Sequence, residues 1–286
     1  MIGIKLQKKP MVSVITSVFN GEKFLAESIL SILEQSFQDF ELIIVDDASI
    51  DSSSEIIENY MQLDERIRLI INTKNIGLTK SLNKAIATSK GIYIARIDAD
   101  DVAMPMRLES QIKFLEKNID IGLVGTATYL IDSNGVTIDK ISYPETNEIL
   151  KKTLIKHNPF DHSSIMVRKD VFDRIGLYNE KNRYSQDYEL YFRISRYYMM
   201  ANMPKYLMKK RYVSSMLSLK NESEQKRFAI MARFNAIKIK QYPVWCGIYL
   251  VKPYLVMKTP MIIRRVLRQY LLPSKRIYQI LEKADR

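Results

Sequence analysis

The chain has 286 residues, 47% of them apolar, which is enough to bury a sizeable core and excludes disorder of the whole chain. Its single cysteine, Cys246, excludes an intrachain disulfide and a thiolate metal cage and fits a reducing compartment. The net charge is +12, but it is lopsided: residues 203–286 carry 19 Lys and Arg against 4 Asp and Glu, while residues 1–202 carry 25 against 28.

The first half alternates strand and helix signals. Residues 12–18 form a β-branched run, broken by Asn20-Gly21, and Phe24, Leu25, Ile29, Ile32 and Leu33 then recur at helical spacing. Residues 41–45 (ELIIV) read as a second, buried strand ending in Asp46-Asp47. Asp51 and Ser52 to Ser54 are N-cap candidates for a helix reaching about Met61. Residues 66–71 read as a third strand, 78–88 as a helix, and 91–97 as a fourth strand that runs straight into Asp98. Strands separated by helices imply a mostly parallel, Rossmann-like α/β sheet with right-handed crossovers. Further on, a helix is expected over 104–115. Ser133-Asn134-Gly135 signals a hairpin, 162–167 a strand and 186–197 a helix.

Polar residues gather where the predicted strands end. Ser17, Phe19 and Asn20 follow the first, Asp46 and Asp47 the second, Asn75 and Gly77 the third, and Asp98, Asp100 and Asp101 the fourth. Open α/β sheets bind ligands in the crevice at the carboxyl ends of their strands, so four segments deliver polar groups to one edge. Three carboxylates within Asp98–Asp101 repel one another, and a hard divalent cation with oxygen ligands, Mg²⁺ or Mn²⁺, removes that conflict. A solvated acidic turn that caps the next helix fits the same residues. No GxGxxG or GxxxxGK[ST] follows any strand, which argues against a dinucleotide enzyme or a P-loop NTPase.

The ordered set VSVITSVFNGEKFLAESILSILEQSF, ELIIVDDASIDSS, NIGLTKSLNKAI, GIYIARIDADD with MPMRLESQ, HSSIMVRKDVFDRIGLYNE and SQDYEL resembles family 2 glycosyltransferases over residues 12–194. The resemblance implies a GT-A fold and transfer of a sugar from a nucleotide-diphospho-sugar, with UDP the common nucleotide. The acceptor would be a hydroxyl of a glycan or a lipid-linked saccharide, and the anomeric centre would invert. Phe19 would lie against the base, Asp47 would bind its polar edge and Asp98 would sit near the ribose. Ser17, Asn75, Lys80 and Arg96 complete the donor side, the last two as phosphate candidates. Asp100 and Asp101 would hold Mn²⁺ or Mg²⁺ on the diphosphate. Asp187 matches the catalytic base, with His162 and Gln186 on the acceptor side. Many members carry a histidine in a YRxH-type segment. The matching stretch here, 210–218, has none, and Arg211 is the candidate to supply a cationic contact in its place. Read from its position alone, Asp187 is more simply a first-turn helix carboxylate favoured by the macrodipole.

The resemblance sets a catalytic domain at 1–218, with a nucleotide-sugar half over about 1–105 and an acceptor half over about 106–218, followed by a basic helical extension at 219–286. Residues 244–251 are apolar but too short to span a bilayer. Residues 261–272 mix Ile262, Ile263, Val266 and Leu267 with Arg264, Arg265 and Arg268. An interfacial helix and a packed helical cap both fit that pattern. The charge asymmetry favours the first, with an anionic membrane surface as partner and a place on the inner face of a bacterial cell membrane. Roles in O-antigen, capsule or lipooligosaccharide synthesis follow by analogy. A basic nucleic-acid-binding protein and a non-catalytic adaptor are the competing classes. The acidic balance of 1–202 counts against the former and the full aspartate set against the latter.

Overall fold

The computed structural model describes residues 9–212 and 221–259. Its first half is a regular β/α alternation: β1 (Val12–Val18), α1 (Glu22–Leu33), β2 (Phe40–Asp46), α2 (Ser53–Leu63), β3 (Ile67–Ile71), α3 (Leu78–Thr88) and β4 (Tyr93–Arg96). These four strands pair in parallel in the order β3-β2-β1-β4. β2 is buried along its whole length, as a strand covered on both faces must be. Alternate residues serve two cores. Ile15, Ile43 and Val45 face α3, while Val14, Leu42 and Ile44 face α1 and α2. Each fully buried aliphatic side chain contributes about 1.5–3 kcal/mol. Gly91 leads into β4 against β1; a Cβ there would stand 2.4 Å from the Ser13 nitrogen, so no side chain fits.

The second half is irregular. It comprises β5 (Val102–Ala103), α4 (Arg107–Lys117), β6 (Ile121–Ile131), β7 (Thr137–Ile141), α5 (Asn147–Leu154), β8 (Met166–Arg168), α6 (Lys169–Ile175), α7 (Gln186–Ile194) and β9 (Met199–Arg211). The sheet continues β4-β8-β6-β9-β5, with β7 hairpinned onto β6. β8 runs antiparallel to β4 and β6, and β6 runs parallel to β9. The hairpin signal at Ser133-Asn134-Gly135 is met: Asp132 Oδ1 accepts from the Asn134 and Val136 amides, and Gly135 takes φ +81°. Two expectations shift. The helix after the acid cluster starts at Arg107 rather than 104, past Pro105. The expected strand 162–167 divides into a 3₁₀ turn, His162–Ser164, capped by Asp161, and the short β8.

Two further helices follow, α8 (Glu222–Lys238) and α9 (Ile248–Lys258), separated by a 3₁₀ turn, Val244–Gly247. Ala232, Ala236 and Cys246 belong to the same buried cluster as Tyr188, Tyr191 and Ile194 of α7. Arg233 Nε donates to the Tyr188 hydroxyl at 2.8 Å, and that hydroxyl donates to the Leu154 carbonyl. The outer side is different. Val244, Trp245, Ile248, Val251, Tyr254 and Leu255 are each about half or more exposed. No helix among the described residues is long and apolar enough to cross a membrane. The amphipathic stretch expected at 261–272, the expected domain boundary at 218/219 and residues 213–218 of the departing motif lie outside the described residues.

Candidate active site

The carboxyl ends of the parallel strands meet at one edge. The loops after β1 and β2 are clasped together: Asn20 Oδ1 accepts from the Ile50 amide, the Asn20 amide donates to Ser49 Oγ, and Asp51 Oδ2 accepts from the Glu22 amide. Phe19 stands on this clasp half-exposed, a large apolar ring held at the surface. Ser17 is half-buried beside it, and Asn75 and Lys80 are exposed at the start of α3. Asp47 is buried; Oδ1 accepts from Asn72 Nδ2 and the Ile76 amide, and Oδ2 from the Gly77 amide. A carboxylate has about four lone-pair sites, so one remains, on Oδ2. The expected contact of Asp47 with a base rests on that single site.

Asp98, Asp100 and Asp101 bring one carboxylate oxygen each to within 4.8 Å of one another. Burial opposes charge on Asp98, but the Arg96 guanidinium overcomes it and holds that carboxyl at about 2. Burial and then the Asp98 charge lift Asp100 to about 6 and Asp101 well above its ordinary value. Asp101 Oδ1 accepts from the Arg211 amide at 2.8 Å, while its Oδ2 is buried without a partner among the described residues. The charges make the same point. Arg96 is matched to Asp98, Lys210 to Asp161 at 2.7 Å and Arg211 to Glu27, and the buried Arg107 adds positive charge near Asp101 and Asp161, so among the described residues Asp100 and Asp101 have no ion pair of their own. These two carboxylates, one of them with a buried oxygen that has no partner among the described residues, are hard donors that fit one divalent cation.

Arg96 is buried. Beyond its bond to Asp98, its Nε and Nη1 have no partner among the described residues, so it is a column of positive charge behind the acid loop. Arg211 departs from its expected place on the acceptor side. It is 1% exposed, stacks on Phe24 at 4.3 Å and donates to the carbonyls of Asp100, Asp132 and Ser133 as well as to Glu27. Its guanidinium is spent on bracing the acid loop from below.

Asp187 sits in the first turn of α7, presented by Ser185, whose φ of +52° turns the chain sharply into the helix. Its Oδ2 accepts from Asn158 Nδ2 at 2.7 Å, and burial raises its pKa. Gln186 beside it is buried. His162 Nε2 lies 2.8 Å from the Tyr178 hydroxyl; burial and then Arg96 push its pKa well down, so the ring is neutral. Arg96 and Lys210 act electrostatically on Asp98, Asp100, His162 and Asp187 alike, so the acid cluster and Asp187 share one space. Sequence reasoning missed Lys210, Asp161, Asn158 and Tyr178. It also missed Tyr143, whose pKa burial and then Asp161 raise. Only Lys210, next to Arg211 in the motif already singled out, carried a local signal.

A model of glycosyl transferase family 2 matches residues 13–176, more than half of the chain. The chain belongs to glycosyl transferase family 2. It is 40% identical over 208 residues to an uncharacterised glycosyltransferase of Methanocaldococcus jannaschii, covering 71% of each protein. It is 40% identical over 192 residues to the O-antigen biosynthesis glycosyltransferase WbnJ of Escherichia coli, covering 64% of this chain and 71% of that protein. Among solved structures, S. aureus TarS 1–349 in complex with UDP-GlcNAc superposes with a TM-score of 0.64 at 18% identity, over 92% of this chain and 77% of that one. The mannosyltransferase PcManGT of Pyrobaculum calidifontis, in complex with GDP-Man and Mn²⁺, also gives 0.64, at 16% identity, over 97% and 85%. At such identities the superpositions speak for the fold alone, which is of the GT-A type.

Proposed function

We propose that this family 2 glycosyltransferase moves a sugar from a nucleotide-diphospho-sugar to an acceptor hydroxyl, with Asp187 as base and inversion at the anomeric carbon. The observation that carries the reading is the pair of clustered carboxylates, Asp100 and Asp101, without an ion pair among the described residues and facing the same space as the raised carboxyl of Asp187. Phe19 offers a face for the base, Asp47 its last acceptor site, and Ser17, Asn75 and Lys80 line the donor edge. Arg96 acts through Asp98, holding it charged toward the ribose. A divalent cation, Mn²⁺ or Mg²⁺, held by Asp100 and Asp101, supplies charge neutralisation for the diphosphate. Asp187, desolvated and with its pKa raised by burial, takes the acceptor proton in its ionised form as the hydroxyl attacks. Asn158 fixes its carboxyl, and neutral His162 with Gln186 line the acceptor side.

PcManGT bound to GDP-Man with Mn²⁺ and TarS bound to UDP-GlcNAc support the donor class, and UDP is the nucleotide we favour. WbnJ supports a place in bacterial surface-polysaccharide synthesis, with a glycan or lipid-linked acceptor. The apolar stripe at Val244, Trp245, Ile248 and Leu255, edged by exposed Lys252 and Lys258, supports peripheral seating on an anionic membrane at the inner face of the cell membrane. The experiment is binding of UDP and GDP with Mn²⁺ and with EDTA, for the wild type and for Asp100→Ala/Asp101→Ala. One nucleotide should bind tightly only to wild type with Mn²⁺; equal affinity in all arms overturns the metal site.

A further inference from the structure

β9 delivers a cation that the sequence motif did not announce. Lys210 pairs with Leu130 across the β6–β9 ladder and reaches into the site, where its Nζ donates to Asp161 Oδ1 at 2.7 Å. Asp161 does not depend on it alone, because its other oxygen accepts from Thr128 Oγ1 at 3.0 Å and its Oδ1 also accepts from the Ser163 amide. An ammonium has three donors, and Asp161 occupies one. Asp98, Asp100, Asp101 and Asp187 all lie within the field of Lys210. Arg96 shares much of that reach but is sealed, with a side chain 3% exposed, and locked to Asp98. The Lys210 side chain is 29% exposed. Of the two cations that reach both acid cluster and base, Lys210 is the one a ligand can touch. Arg211, the residue expected to supply that contact, is buried elsewhere.

We propose that Lys210 donates a hydrogen bond to the outer phosphate of the diphosphate and stabilises it as it departs. This rests on the donor reading given above. In the transfer step the acceptor oxygen bonds to the anomeric carbon and its proton passes to Asp187. The bond from the anomeric carbon to the phosphate oxygen breaks, and its electron pair stays on that oxygen. Lys210 gives up no proton; its fixed charge meets the charge that appears on the phosphate. Asp161 positions the ammonium, holding it between the acid loop and the base, with its remaining donors taken by no group among the described residues.

The test compares nucleoside diphosphate with monophosphate. With Mn²⁺ present, affinities for the UDP/UMP and GDP/GMP pairs are measured for wild type, Lys210→Gln and Lys210→Arg, with thermal melting of each. Lys210→Gln should lose about tenfold or more in diphosphate affinity, with monophosphate affinity little changed, and donor turnover should fall by about 10²-fold. Lys210→Arg keeps the charge and should keep the preference for the diphosphate. A Lys210→Gln variant that prefers the diphosphate as strongly as wild type overturns the proposal. So does a variant that loses both ligands equally, since that is the mark of a structural ion pair. Failure of wild type itself to bind either diphosphate overturns the donor reading first, and this inference with it.

Discussion

The acid-loop end of the sheet and the outer face of the C-terminal helices are built on opposite terms. At the sheet end most charges are matched in ion pairs, and Asp100 and Asp101 are carboxylates without an ion pair among the described residues. On α9 no residue is buried, and the shortfall is apolar: a stripe of large side chains left in water beside lysines. One surface lacks a small hard ion and the other lacks an area of contact. The lesson is that what a protein leaves unsatisfied indicates the size and chemistry of what it meets.

The strongest way to break the comparison is at the base. Asp187→Asn keeps the shape and can still meet Asn158, but cannot take a proton. Turnover should fall by about 10²–10⁴-fold with nucleotide affinity retained, measured by single-turnover transfer and nucleotide titration. Near-wild-type transfer would reduce Asp187 to a helix-terminal charge. Because burial raises its pKa, the active, ionised fraction is lost as pH falls through a value above the ordinary carboxylate range. The acid limb of kcat/KM should therefore sit higher than a solvent-exposed aspartate would place it.

Next in size is the brace below the acid loop. Arg211→Ala strands the carbonyls of Asp100, Asp132 and Ser133 and opens a cavity against Phe24, and should cost about 2–4 kcal/mol by denaturant unfolding. If Arg211 were a surface contact to a ligand, stability would barely move. A smaller effect sharpens the metal reading. Asp100 holds its proton to about pH 6, so Mn²⁺ must displace it below that pH. Mn²⁺ affinity, followed by calorimetry, should fall steeply as pH drops below about 6, with Asp101, whose pKa is also raised, adding its own proton to the loss.

The smallest effect on the fold belongs to the other surface. Trp245→Ser, Ile248→Ser and Leu255→Ser should each change stability by within about 0.5 kcal/mol. Together they should abolish co-sedimentation with phosphatidylglycerol vesicles, which in wild type weakens as salt rises. A triple variant that sediments like wild type would remove the apolar stripe from any part in membrane seating.

The parallel half of the fold was legible because periodicity reports burial directly. β1 and α3 coincide with the runs read from the sequence, and the polar residues do gather at the strand ends. The acid cluster was legible because like charges in a row have few structural reasons to exist. Arg211 was misread because arginine is so seldom fully buried that its charge suggested solvent, whereas backbone carbonyls from two loops absorb its donors. His162 was read as part of a strand because it leads into the apolar, β-prone run 165–167; the Asp161 side chain instead caps a 3₁₀ turn there. Asp161 and Asn158 come from the irregular segment after α5, and Asp161 meets Lys210 of β9 only once β6 and β9 have paired, so no local pattern encodes such a distant encounter.

The hydrogen-bonded line from Arg233 through Tyr188 to the Leu154 carbonyl has a consequence for making chimaeras with relatives. The family match ends at residue 176, before Asp187, Lys210 and both C-terminal helices. A graft cut at that natural-looking seam leaves the Leu154 carbonyl to the recipient, and keeps Tyr188 with its other neighbour only if the incoming piece also brings Arg233, together with Gln225, whose carbonyl receives the Ser185 hydroxyl at the start of α7. Exchange of acceptor preference between relatives should therefore succeed as one block from Gly176 onward and fail when the terminal helices are swapped alone, because the donor's α8 would arrive without the tyrosine it was shaped to hold.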